Sequence, residues 1–253
     1  MNKPTPPEHS LAIVTGTSRG LGHALALALQ QSGTRLLTMS RAATELPAAP
    51  GSTHEDWRVD LADAQPVAER LQAWLQAARA AAPRSLVFVH NAAALSTPAP
   101  LAQVPLAELA QAARVNLEAP LLLSAAFLRA TAGWPGRRQL LFISSGLGRS
   151  AMAGAASYCA TKAGIDHLAR TLALEEASHP QGAQVVSLAP GVIDTDMQQR
   201  LRSADASAFA ARQRFVDLKQ GGQLLSPAEV AAKIVAYLAR ADFGAMPVAD
   251  VRV

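Results

Sequence analysis

The stretch that decides the fold of this chain reads Leu11-Ala-Ile-Val-Thr-Gly-Thr-Ser-Arg-Gly-Leu-Gly22. Its first five residues form a short, mostly apolar run with β-branched side chains, which predicts a buried strand. A glycine-rich turn follows, and then the run Gly22–Gln31, which consists mostly of strong helix formers. Such a turn directs free backbone N–H groups and the positive end of a helix dipole to one point. We therefore favour a pyrophosphate-binding loop over a turn that serves packing alone.

Outward from this unit, short apolar runs alternate with helical patterns as far as the C-terminus. Strands that are apolar along their whole length, separated by helices, are typical of a parallel sheet covered on both faces. The sequence therefore predicts an α/β protein with a single-domain Rossmann fold, a doubly wound parallel sheet of about seven strands. The further strands are expected at 35–39, 57–60, 85–89, 139–143, 183–188 and 247–251, and the further helices at 66–82, 105–132 (interrupted at Pro120), 157–178 and 227–240, the last capped by Ser226.

One domain accounts for the chain, because no change in composition divides its 253 residues. We expect residues 1–9 to be a flexible tail, residues 10–253 to form the dinucleotide-binding domain, and residues 192–225 to be a mobile lid over the substrate. The sequence has one cysteine, no signal-peptide pattern and no apolar run of about 20 residues, so the expected location is the cytoplasm, away from membranes.

Charge and composition argue against nucleic acid as a partner. The net charge of +4 comes from 23 basic and 19 acidic residues without a long basic run, and aromatic residues make up only 4%. The histidines and the single cysteine have no metal-ligand spacing, so no metal site is expected. A small molecule is the expected partner.

The end of the second predicted strand indicates which dinucleotide is bound. Enzymes that use NAD place a carboxylate about 20 residues after the glycine loop, where it accepts from the ribose 2′-OH. Here the strand ends in Ser40 and Arg41, and the first carboxylate after them is Glu45. An arginine offers charged donors to a 2′-phosphate, and Arg19 in the loop adds a second cation. We therefore expect NADPH/NADP+ as the cofactor and consider NADH less favoured.

Three polar residues form the predicted catalytic set. Tyr158 and Lys162 are four positions apart at the start of a predicted helix, so they share one face. A nearby ammonium favours the phenolate, so we expect Lys162 to lower the tyrosine pKa. Ser145 follows a strand and therefore lies at the same edge of the sheet, where its hydroxyl can bind a carbonyl oxygen. Taken alone, the tyrosine–lysine spacing is more often chance.

In combination these motifs resemble the short-chain dehydrogenase/reductase family along essentially the whole chain. The resemblance implies that Tyr158 donates the proton, that Lys162 lowers its pKa and binds the nicotinamide ribose, that Ser145 orients the carbonyl and that Asn116 extends a proton relay. It also implies cofactor contacts for residues distributed over the glycine loop and the ends of four strands. These are Gly16, Ser18, Arg19, Gly20, Leu21, Gly22, Ser40, Arg41, Asp60, Leu61, Asn91, Ala92, Pro190, Gly191, Val192 and Thr195.

A narrower resemblance begins at Pro190 and is to the sepiapterin reductase and benzil (diketone) reductase branch. Thr195 is expected to donate to the nicotinamide carboxamide, and Met197 to form an apolar wall beside the substrate. The C-terminal stretch Phe243–Asp250 is similar to the end of that branch, where an aspartate anchors the pterin. Asp250 is thus a candidate substrate anchor, and a surface acid is the alternative.

The expected reaction is NADPH-dependent reduction of a ketone or dicarbonyl by hydride transfer, with Tyr158 as the general acid. Two alternatives remain: an NAD-dependent alcohol dehydrogenase of the same family, and a non-catalytic dinucleotide-sensing protein. The family resemblance also implies a homodimer or homotetramer built through the long helices around Asn116 and Tyr158.

Overall fold

The structure is a computed structural model that describes residues 10–81 and 83–252. The tail predicted at residues 1–9 lies outside the described residues. No helix within the described ranges combines the length and the apolar character that crossing a membrane requires.

The described residues form one seven-stranded parallel sheet, as predicted. Its strand order is β3-β2-β1-β4-β5-β6-β7, so the winding direction reverses between β1 and β4. In such sheets, ligands bind in the crevice at the carboxyl ends of the two strands that flank the reversal. The strands are β1 (Ser10–Thr15), β2 (Thr34–Ser40), β3 (Thr53–Arg58), β4 (Ser85–His90), β5 (Arg137–Ile143), β6 (Gln184–Ala189) and β7 (Val248–Asp250).

Eight α-helices lie among the described residues, most of them on the two faces of the sheet. They are α1 (Gly20–Leu29), α2 (Ala64–Ala77), α3 (Leu106–Ala113), α4 (Ala119–Thr131), α5 (Ala156–Ala177), α6 (Asp196–Arg202), α7 (Arg212–Gln220) and α8 (Pro227–Leu238). The last of these, α8, begins with the predicted cap: Ser226 and Glu229 form a reciprocal capping box.

The core has two layers because successive strand residues point to opposite faces. Leu11 and Ile13 on β1 belong to the cluster that includes residues of α2, α4 and α5. Ala12 and Val14 belong to the cluster that includes residues of α1 and α8. Burial on both faces explains why the central strands contain nearly continuous apolar runs.

Several elements differ from their predicted bounds, and two of these differences have a clear physical reason. The third strand was expected at 57–60 but occupies Thr53–Arg58, because it is an edge strand whose polar residues have partners: Glu55, for example, accepts from the indole N–H groups of Trp57 and Trp74. The helix expected at 105–132 is divided into α3 and α4 by a π-helical turn, Arg114–Glu118. Pro120 follows this turn and has no N–H to donate to the Asn116 carbonyl, so the disturbance lies just before the proline rather than at it.

Candidate active site

The glycine loop joins β1 to α1 at the crevice and packs tightly against the residues that follow β4. A Cβ on Gly22 would lie 2.0 Å from the Gly16 carbonyl oxygen, and one on Gly16 would lie 2.7 Å from the Ala92 Cα. Asn91, at the end of β4, donates its side-chain N–H to the carbonyls of Thr15 at 3.0 Å and Gly16 at 3.1 Å. The predicted pair of Asn91 and Ala92 therefore fastens the loop to the central strand.

The upper side of the loop is suited to a phosphate. Gly20 has a positive φ of 57°, and a Cβ there would meet only the Thr195 methyl carbon, at 3.7 Å. Among the described residues, no side chain caps the first turn of α1 and no acid lies in it, so its N–H groups can serve an anion. Ser18 and Arg19 are exposed and Leu21 is buried. The loop thus fits a dinucleotide pyrophosphate.

The three residues predicted to select NADPH, Ser40, Arg41 and Arg19, have different surroundings. Ser40 is buried and donates its hydroxyl to the Ala42 carbonyl at 2.6 Å. Arg41, the next residue, is exposed and has no ion-pair partner within the ranges that the structure describes. Arg19 instead pairs with Asp196 on α6 at 2.9 Å, with both side chains largely exposed. The second cation proposed from the sequence is therefore already bound to a carboxylate.

A short ladder of polar groups supports the segment after Ser40. The hydroxyls of Thr17 and Thr44 lie 2.6 Å apart, and the carboxylate of Asp56 accepts from the Thr44 backbone N–H at 3.2 Å. Asp60, just after β3, is exposed and accepts from the Ala62 N–H at 3.0 Å, and Leu61 beside it is buried. This ladder connects the glycine loop with the strand ends expected to hold the adenosine.

Tyr158, Lys162 and Ser145 come together at the carboxyl edge of β5. Ser145 caps a 3₁₀ turn, Gly146–Gly148, and its hydroxyl accepts from the Leu147 N–H at 3.2 Å. Lys162 is 5% exposed, and its Nζ lies 5.5 Å from the centre of the Tyr158 ring and 2.6 Å from the Ile143 carbonyl oxygen. The spacing inferred from the sequence therefore does produce a tyrosine–lysine pair on one face of α5.

The expected lowering of the tyrosine pKa does not hold for this structure. Burial raises the pKa of Tyr158 to about 12, because it penalises the phenolate more than a hydrogen bond with Ser145 favours it. Burial also lowers the pKa of Lys162 to about 8, and the nearby Asp166 carboxylate opposes that fall. At neutral pH the phenol therefore carries its proton, and the lysine remains mostly an ammonium.

Asn116 lies in the π-helical turn and is 2% exposed. Its side-chain oxygen accepts from the Ala94 N–H at 2.7 Å, and its amide donates to the Ala94 carbonyl at 2.9 Å and to the Thr161 hydroxyl at 3.3 Å. The side chain therefore joins the loop after β4 to α5, one residue before Lys162.

The predicted lid, residues 192–225, begins and ends at one isolated parallel bridge. Ile193 and Leu225 form this bridge, and the Leu225 N–H donates to the Val192 carbonyl at 3.1 Å. Between these ends, α6 carries the half-buried Met197, and Phe209 is fully buried. Pro190 and Gly191 connect β6 to this segment, and Thr195 precedes α6. Thr195 and Met197, predicted to contact the nicotinamide and the substrate, thus lie in the segment that follows β6.

Asp250 ends β7, beside Ala189 of β6, but its carboxylate already has partners. The Arg252 guanidinium donates to its two oxygens at 2.8 and 2.7 Å, and these hydrogen bonds hold its pKa below the usual value. A substrate anchored on Asp250 would have to displace this arginine.

The sequence interpretation missed two supporting residues. Thr15 accepts through its hydroxyl from the N–H groups of Asn91 and Ala92, both at 3.0 Å. Asp166, one helical turn after Lys162, is 1% exposed. A charged residue on the apolar side of a predicted helix was the available signal for Asp166, whereas the partners of Thr15 lie too far along the chain to be inferred.

Comparison with known proteins identifies the family. The profile of the family described as short chain dehydrogenase matches residues 10–206, and the chain belongs to that family of oxidoreductases, which bind a nicotinamide dinucleotide. It is 31% identical over 235 residues to the benzil reductase ((S)-benzoin forming) of Bacillus cereus, covering 91% of this chain and 94% of that protein. It is also 31% identical to mouse sepiapterin reductase, covering 92% and 93%.

A solved structure shares the fold along nearly the whole chain. It is a putative NAD(P)-dependent gluconate 5-dehydrogenase from Beutenbergia cavernae with bound NADP at low occupancy. The two are 26% identical with a TM-score of 0.74, and 98% of this chain and 97% of that one are covered.

Proposed function

We propose that this protein is an NADPH-dependent carbonyl reductase that acts on a dicarbonyl compound such as an aromatic 1,2-diketone. The observation that carries the proposal is the arrangement of Ser145, Tyr158 and Lys162 at the carboxyl edge of the sheet, the edge at which β1 also leads into the glycine loop. The choice of substrate is supported by the similarity to benzil reductase, which extends over nearly the full length of both chains.

When bound, NADPH would supply a hydride to the carbonyl carbon. The hydroxyl of Ser145 donates to the carbonyl oxygen and stabilises the charge that develops there. The phenol of Tyr158 then gives its proton to the same oxygen, a role for which the protonated form is required. Lys162 would hold the nicotinamide ribose and keeps a positive charge near the phenol, and Asn116 would extend a proton relay to Lys162.

NADPH is preferred over NADH in this proposal because of Arg41. Its guanidinium is exposed at the end of β2 and has no acidic partner within residues 10–81 and 83–252, so a 2′-phosphate can pair with it. Ser40 provides no carboxylate to accept from a ribose 2′-OH. Arg19 could contribute only by leaving Asp196.

The test is turnover of benzil, followed as loss of NADPH absorbance. We expect Tyr158→Phe to reduce kcat by about a hundred- to ten-thousand-fold, the contribution of a general acid, with NADPH affinity nearly unchanged. Tyr237→Phe is the matched control, because it alters the other tyrosine of the chain, on α8, and should retain wild-type turnover.

A Tyr158→Phe enzyme with wild-type turnover would refute the role of the tyrosine. Oxidation of alcohols with NAD+ that is faster than reduction with NADPH would favour the alternative dehydrogenase. NADPH binding without turnover of any diketone or pterin would favour the dinucleotide sensor.

A further inference from the structure

The buried carboxylate of Asp166 is the hub of a network directly beneath the catalytic set. It lies on α5, one turn after Lys162, and is 1% exposed. Its Oδ1 accepts from the hydroxyls of Ser144 at 2.6 Å and Ser187 at 2.7 Å, and its Oδ2 accepts from Nε of Arg149 at 3.1 Å.

These hydrogen bonds fasten several elements to one point. Ser144 follows β5, Ser187 lies in β6, and Arg149 also donates to the Ala249 carbonyl of β7 at 2.8 Å. The 3₁₀ turn Gly146–Gly148 packs closely against α5: a Cβ on Gly148 would be 2.9 Å from Asp166 Oδ2. The network therefore determines where the turn that begins at Ser145 sits relative to the helix that carries Tyr158.

Stability alone does not account for a charge at this position. Taking a charge out of water carries a large desolvation penalty, and apolar residues of similar volume often stabilise a protein as well as a buried charge pair or better. A carboxylate that is buried, accepts three hydrogen bonds and lies one helical turn from the lysine of the proposed catalytic set is better explained by a task at the site.

We propose that Asp166 is a positioning residue, which holds the turn carrying Ser145 against α5 and keeps Lys162 in its charged form. The proposal rests on the catalytic roles proposed above for Ser145 and Lys162. Asp166 itself touches neither the substrate nor the cofactor in this scheme.

The electrostatics around Lys162 support the second part of the proposal. Burial lowers the pKa of this lysine to about 8, and Asp166 is the group that opposes the fall. Among the described residues, the charged or titratable groups shown next to the pair are Tyr158 on α5, whose ring centre lies 5.5 Å from Lys162 Nζ, and Arg149 from the adjacent turn, which donates to Asp166. β6 contributes the neutral Ser187, and Asp250 of β7 lies beyond Arg149.

The test measures NADPH affinity against pH by fluorescence, without any carbonyl substrate. Binding should weaken as Lys162 loses its proton, and in Asp166→Asn this alkaline limit should move about one pH unit lower, the effect of removing a nearby opposite charge. Ser187→Ala keeps the carboxylate and should leave the limit within about 0.3 unit, as should Glu175→Gln, which removes an exposed charge from the same helix.

Arg149→Met provides a second, opposite test. It removes the cation that neutralises Asp166, so Lys162 should hold its proton longer and the limit should move to higher pH. Structural damage alone would not shift the two variants in opposite directions. If Asp166→Asn does not fold, Arg149→Met decides by itself.

The proposal would be overturned if the alkaline limit of NADPH binding stays at the wild-type pH in Asp166→Asn or in Arg149→Met. It would also be overturned if the limit shifts in the same direction in both variants. Failure of benzil to be reduced would count against the proposed function only. With benzil as substrate, the alkaline limb of kcat is expected to follow the same two shifts.

Discussion

His90 should make this protein less stable as the pH is lowered, and a single substitution of His90 should remove that contribution. The residue ends β4 and is 5% exposed, with its ring stacked on Phe142 at 4.9 Å and tilted against Phe88 at 4.0 Å. The Ser124 hydroxyl lies 3.1 Å from its Nε2. Burial lowers the pKa of His90 from 6.5 to about 3, because the charged ring would lose its hydration.

The sign and size of the effect follow from linkage. Between pH 6.5 and about 3 the unfolded chain binds a proton at this histidine and the folded chain does not, so acid favours unfolding. Each pKa unit corresponds to about 1.4 kcal/mol, so lowering the pH to about 5 should cost about 2 kcal/mol at this residue. The stability is fully present above the unfolded-state pKa and is lost as the pH falls.

The assay is urea unfolding of wild type and His90→Asn at about pH 7.5 and about pH 5, at one protein concentration. Other acid-sensitive groups contribute equally to both proteins, so the wild type should lose about 2 kcal/mol more than the variant. His167→Asn alters an exposed histidine on α5 and should change this difference by less than about 0.5 kcal/mol. Equal pH dependence in wild type and His90→Asn would refute a neutral, buried His90.

Three further predictions concern the cofactor, a helix end and the assembly. Arg41→Ala should weaken NADPH binding about tenfold, the low end for a charge-assisted hydrogen bond at an exposed site, and leave NADH binding unchanged. Arg129→Ala, on the exposed end of α4, is the control. Equal losses of affinity for both cofactors in Arg41→Ala would contradict the assignment. Ser226→Ala should reduce the free energy of unfolding by about 1 kcal/mol, because it removes the side chain that accepts from the Glu229 N–H. Ser203→Ala, at an exposed serine, should have little effect. An unchanged denaturation midpoint in Ser226→Ala would be inconsistent with the capping box. Light scattering should show a dimer or tetramer, since Leu106, Leu121 and Leu174 on α3, α4 and α5 are 82, 44 and 77% exposed. Leu174→Asp should favour the monomer. A wild-type monomer at micromolar concentration would contradict this prediction.

Features that depend on neighbouring residues could be determined from the sequence alone. The strand, turn and helix around Gly16–Gly22 follow from periodicity and from the backbone needs of a tight turn. The shared face of Tyr158 and Lys162 follows from the pitch of a helix, and the start of α8 follows from its cap. A parallel sheet follows from apolar strands that alternate with helices, because each such connection must cross a face of the sheet.

Only the tertiary structure decided which distant groups meet. Arg19 pairs with Asp196 rather than standing free, Asp250 is held by Arg252, and Asn116 bonds to the loop at Ala94. The pKa of Tyr158 was likewise decided by burial, which the sequence does not display. Such pairings depend on strand register and on how each connection crosses the sheet, and the spacing of residues along the chain carries little information about either.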